Sequence, residues 1–81
     1  MDNDQIYTKL AEVMRKVFDD SNLTVDARMV ADDVDGWDSM GHIRLVLAVE
    51  QAFGVKFATA EIAGLENVGQ LVDTIHRKAT A

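Results

Sequence analysis

Asp38, Ser39, Gly41 and His42 place a carboxylate, a hydroxyl and an imidazole within five positions, so a nucleophilic serine is the first chemistry to weigh. The spacing argues against it. A nucleophile elbow needs glycine two residues before and two after the serine, but Trp37 holds the earlier position and Gly36 lies one residue too far. No strand pattern precedes Ser39, and nothing plainly supplies an orienting carboxylate or an oxyanion hole for His42. Calcium fares no better. In ADDVDGWDSMGH, Asp33, Asp35 and Gly36 fall at the third, fifth and sixth positions of an EF-hand loop, but Ala31 and His42 stand where an aspartate and a bidentate glutamate are required. His42 and His76 lack a paired spacing and are expected to face solvent, so no dedicated metal site is expected.

Two readings of Ser39 remain. Serine and aspartate are favoured helix caps, so a DS pair ahead of an apolar helix is ordinary structure. Alternatively the hydroxyl is a site of covalent modification. A phosphodiester at a helix start lies beside free backbone amides and the positive end of the helix dipole. Asp35 and Asp38 oppose an anion there, which suggests a separate role for them, such as holding the divalent ion that a phosphoryl-transferring enzyme brings.

The elements that position this serine are helical. Ile6, Leu10, Val13 and Val17 form one stripe, with Asp2 and Gln5 placed as a capping box, predicting a first helix from about Asn3 to Phe18. Residues 19 to 38 show no sustained period and read as a long ordered loop, pinned to the core by Leu23, Val25, Met29, Val30 and Val34. Loops of that length in compact domains usually serve a function. The second helix starts at Asp38 or Ser39 and closes at Gly54. Its apolar residues, from Ile43 to Phe53, cover most of the circumference, so it is expected to touch several neighbours. A short third helix follows, capped by Thr59 and running through Glu61 and Ile62; a fourth starts at the Asn67–Gln70 pair and ends near Lys78. His76, Arg77 and Lys78 suit the negative end of its dipole. The expected fold is therefore all-α: a small four-helix bundle of three longer helices and one short one, forming a single domain over residues 1 to 81.

Composition narrows the function. Eighty-one residues suffice for one core but not for a deep, multilayered active site, which favours a carrying or binding module over an autonomous enzyme. The net charge of −6 argues against nucleic acid and anionic membranes as partners. All of it resides in residues 19 to 38, where seven aspartates face Arg28 alone. There is no cysteine, the start MDNDQ has no secretory pattern, and no apolar run is long enough for membrane insertion; a cytoplasmic monomer is the expectation.

The run GWDSMGHIRLVLAVEQAFGVKF, continued by ENVGQLVDTI, resembles the signature of acyl carrier proteins: an aspartate, a serine, an apolar residue, then an apolar helix closing on an acid and a phenylalanine. The match is close over about residues 38 to 76; the first helix and the acidic loop agree in length and pattern. The resemblance implies that Ser39 accepts 4′-phosphopantetheine from coenzyme A through a phosphopantetheinyl transferase, with Asp38 as the aspartate before it and Met40 in place of the usual leucine. It further implies that an acyl or aminoacyl group rides on the arm as a thioester between a ligase and an acyltransferase or synthase, while the carrier itself catalyses nothing. The second helix would be the docking element, through Met40, Arg44, Leu47 and Gln51. Family members are typically acidic along that helix, whereas Glu50 is the only acid here between Met40 and Phe53. The WDSMGHIRL wording is similar to specialised acyl and aminoacyl carriers, so a dedicated carrier is expected rather than a housekeeping one. Val46, Val49, Ile62 and Leu65 are expected to border any space that shelters cargo. The alternative is a non-covalent helical interaction module in which Ser39 is a plain helix cap.

Overall fold

The capping box at the amino-terminal end forms as its residues dictate. Asp2 Oδ1 accepts the Gln5 N–H at 2.9 Å and Gln5 Oε1 accepts the Asp2 N–H at 2.9 Å, which starts α1 (Asn3–Val17). The computed structural model of the chain describes residues 2–80. Within them, α1 is followed by a long loop, α2 (Ser39–Phe53), α3 (Thr59–Ala63) and α4 (Val68–Thr80). Ile6, Leu10 and Met14 are the deepest residues of α1, and Val13 and Val17 flank them half-buried. These pack with Leu45 and Val49 of α2 and with Val68, Leu71, Val72 and Ile75 of α4 into one apolar cluster.

The loop is held to the core by Leu23, Val25, Met29 and Val34, as predicted, whereas Val30 is exposed and stays outside the cluster; the loop's aspartates have a more local task than charge alone suggests. Asp20 Oδ1 accepts from the Asn22 N–H, Asp26 Oδ1 from the Arg28 N–H, and Asp33 Oδ2 from the Val30 N–H, so each carboxylate fixes a turn. Asp33 closes a single 3-10 turn over Ala31–Asp33 that the aperiodic sequence did not reveal. The loop also completes α4. Its Met29 and Ala27 carbonyls accept the Val68 and Gly69 N–H groups at 2.9 and 3.0 Å, two of the donors that a helix start leaves unmatched.

Helix ends depart from expectation in detail: α1 closes at Val17 rather than Phe18, α4 runs past Lys78 to Thr80, and the starts of α3 and α4 differ in their caps. Ala58, not Thr59, occupies the cap position of α3, because Glu61 Oε1 reaches back to the Ala58 N–H at 2.8 Å and draws the start one residue earlier. At α4, Asn67 Oδ1 accepts the Gln70 N–H at 2.8 Å as the box pattern predicts, but Gln70 returns its bond to Glu66 rather than to Asn67. Gly54 closes α2 with φ 67°, donating to the Glu50 carbonyl.

Candidate functional site

Ser39 is the first residue of α2, and Asp38 is its cap: Asp38 Oδ1 accepts the Gly41 N–H at 2.8 Å, while its carbonyl accepts the His42 N–H at 2.8 Å. This corrects the plain-cap alternative. The capping oxygen comes from Asp38, and among the described residues the exposed Ser39 hydroxyl has no hydrogen-bond partner. The N–H groups of Ser39 and Met40 are likewise unengaged, so an uncommitted hydroxyl stands beside two uncommitted amides at the positive end of a fifteen-residue helix.

The turn before Ser39 is held against the helix from behind. Gly36 adopts φ 89°, and its carbonyl oxygen comes so close to the Gly41 Cα that a Cβ on Gly41 would sit 2.0 Å away. No side chain fits there, so the pair of glycines sets the register of the turn on the first turn of α2. Trp37, 9% exposed, packs against Phe18 with ring centroids 5.9 Å apart and stacks on His42 at 6.1 Å.

His42 is not the solvent-facing residue that the sequence suggests. Trp37 Nε1 donates to His42 Nδ1 at 3.0 Å, and since an indole N–H can only donate, Nδ1 accepts and the proton of the neutral ring lies on Nε2. That Nε2 faces the Ile62 carbonyl of α3 at 3.1 Å. One imidazole thus ties the turn carrying Ser39 to both α2 and α3. The signal for it in the sequence is the tryptophan, whose N–H needs an acceptor when buried.

A cleft of about 470 Å³ opens beside Ser39, walled by Trp37, His42, Ile62, Leu65 and Leu71. Ile62 and Leu65 line it as expected, but Val46 and Val49 do not: they are 2% and 0% exposed and pack inward. Among the described residues no group of three or more histidines and acids is arranged for a metal ion.

The expected docking residues Met40, Arg44, Leu47 and Gln51 are all exposed. Ile43, absent from that set, joins them; elsewhere α2 touches several neighbours, as expected, with Leu45 and Val49 in the cluster shared with α1 and α4 and His42 against the Ile62 carbonyl of α3. Glu50 is half-buried and accepts the Phe57 N–H at 2.8 Å, so the acid of this helix anchors the following loop.

With this geometry in view, comparison with known proteins is decisive. The family model for the phosphopantetheine attachment site matches residues 4–75. The chain is 31% identical over 80 residues to an acyl carrier protein of Borrelia garinii, spanning 96% of this chain and 98% of that protein. It is 31% identical over 77 residues to the acyl carrier protein of Thermotoga maritima, with 93% of each covered. The solution structure of the holo acyl carrier protein from Geobacter metallireducens superposes with a TM-score of 0.86 at 35% identity, over 91% of this chain and 85% of that one. The chain belongs to the acyl carrier protein family. It is a carrier rather than an enzyme, and its prosthetic group is 4′-phosphopantetheine. Partner synthases and transferases follow from that membership. No helix among the described residues is long and apolar enough to cross a membrane.

Proposed function

We propose that Ser39 is the attachment point of the prosthetic group and that the chain is a dedicated carrier served by its own loading enzyme. The observation that carries the attachment site is the Ser39 hydroxyl, exposed and unengaged at the first position of α2 while Asp38 performs the capping; the dedicated-carrier reading rests on a helix α2 whose only acid is Glu50. The arm supplies a flexible tether ending in a thiol, on which an acyl or aminoacyl group is held as a thioester.

The contribution of the chain's own residues is positional. Asp38 fixes the first turn, and the Gly36–Gly41 contact fixes the approach of the loop. The uncommitted Ser39 and Met40 amides would be available to the phosphodiester of an arm attached at Oγ. The second carboxylate oxygen of Asp38 is free to meet a divalent ion brought by the phosphopantetheinyl transferase. Partner enzymes, an acyl or aminoacyl ligase and an acyltransferase or synthase, dock on the exposed side of α2 through Met40, Arg44, Leu47 and Gln51. The chain is read as one domain over residues 1 to 81 and as a cytoplasmic monomer, since its sequence carries no heptad to build a stable assembly and no cysteine.

Peptide mapping of the chain after incubation with coenzyme A, magnesium and a broad-specificity transferase tests the assignment. The added mass is expected on the fragment containing Ser39; its appearance on Ser21 or on a threonine would refute the attachment site.

A further inference from the structure

Three large apolar side chains lie open on one side of α2: Met40 is 76% exposed, Ile43 57% and Leu47 54%. Patches of this kind on a small protein mark contact surfaces. Arg44 stands among them, four residues after Met40 and three before Leu47, exposed and, among the described residues, without an ion pair or hydrogen bond. A surface seated on Met40 and Leu47 therefore also covers Arg44. Glu50, the only acid of α2, lies six residues on and turns to the Phe57 N–H, and among the described residues it makes no ion pair with Arg44. An uncompensated guanidinium at a covered interface is costly, whereas a carboxylate meets it in a paired, bidentate geometry.

We infer that the partner docking on α2 presents an apolar recess flanked by a carboxylate that pairs with Arg44, so the contact has the opposite charge sense to a basic patch reading an acidic helix. The inference rests on the reading of α2 as the docking side of a carrier. It adds the chemistry of the partner. The exposed aspartates that end the acidic loop, Asp35 and Asp38, adjoin the Met40 end of the helix and repel a surface that brings its carboxylate there instead of to Arg44.

The test uses the full chain with a benzophenone-bearing amino acid in place of Gln51, on the same side but outside the apolar trio. It is loaded with its arm and irradiated in extract of the cells that make it. The enzyme captured is purified, and its binding to wild type, Arg44→Glu and Arg44→Lys is measured at low and high salt. Arg44→Glu is expected to weaken binding roughly tenfold, and exchange of the partner's facing carboxylate for lysine to restore the Arg44→Glu protein. Unchanged or tighter binding by Arg44→Glu overturns the inference. So does capture of only a second copy of this chain, or no capture through position 51. Loading of Ser39, followed by intact mass in the same samples, separates the two levels: normal loading with binding unchanged by Arg44→Glu refutes the partner chemistry alone, whereas absent loading refutes the carrier site beneath it.

Discussion

Trp37 and His42 are joined by a 3.0 Å hydrogen bond from the indole Nε1 to the imidazole Nδ1, and the same imidazole reaches the Ile62 carbonyl through Nε2. The turn carrying Ser39, the proposed attachment residue, is thus held by an imidazole that makes no hydrogen bond to that serine. His42→Ala leaves the Trp37 N–H without its acceptor and is expected to cost about 1–3 kcal/mol. Urea unfolding followed by tryptophan fluorescence measures it; an unchanged midpoint would show the bond to be dispensable.

Gly41→Ala puts a methyl group where the Gly36 carbonyl oxygen stands at 2.0 Å. The turn or the helix must shift, at an expected cost of about 1–3 kcal/mol. Because the displaced turn carries Ser39, loading by the transferase should slow as well. Normal loading kinetics on a destabilised protein would mean that the turn is free to move without consequence for the serine.

Helices α1, α2 and α4 were legible because their caps and apolar stripes are strong and local: Asp2 with Gln5, Asp38 before Ser39, Asn67 with Gln70, and Gly54 at a left-handed close. What was not legible depended on contacts distant in sequence. His42 meets Ile62 twenty residues away, and only that pairing turns it from a surface histidine into a tie between helices. The loop aspartates look like a charge feature in the sequence, yet Asp20, Asp26 and Asp33 are spent on backbone amides two or three residues away. Ile43 was hidden by its surroundings: in a helix apolar almost all round, periodicity does not tell the exposed side from the buried one.

Glu61 gives a pH prediction. Its hydrogen bond with Lys78, at 2.8 Å, and the Ala58 N–H hold the carboxyl below its ordinary value. A carboxyl depressed in the folded state stabilises it above the ordinary carboxylate range, and that contribution is lost as pH falls through the folded value. Carboxyl NMR titration of Lys78→Met should show Glu61 titrating at higher pH than in wild type. An unaltered titration would assign the shift to the backbone amide alone.

Gly54 takes φ 67° with nothing near its missing Cβ, so Gly54→Ala meets backbone strain without a clash. The expected loss is about 1–2 kcal/mol. Thermal unfolding checks it, with loading of Ser39 expected to be untouched because the change lies at the far end of α2.

The central claim is that Ser39 is the modified residue and that its hydroxyl has no structural duty. Intact mass after incubation with coenzyme A, magnesium and the transferase tests it most directly, with Ser39→Ala alongside. Wild type should gain the mass of one phosphopantetheine, and Ser39→Ala should gain none while unfolding within about 0.5 kcal/mol of wild type. The same mass gain on the Ser39→Ala protein, or no gain on a folded wild type that carries no arm beforehand, would contradict the account.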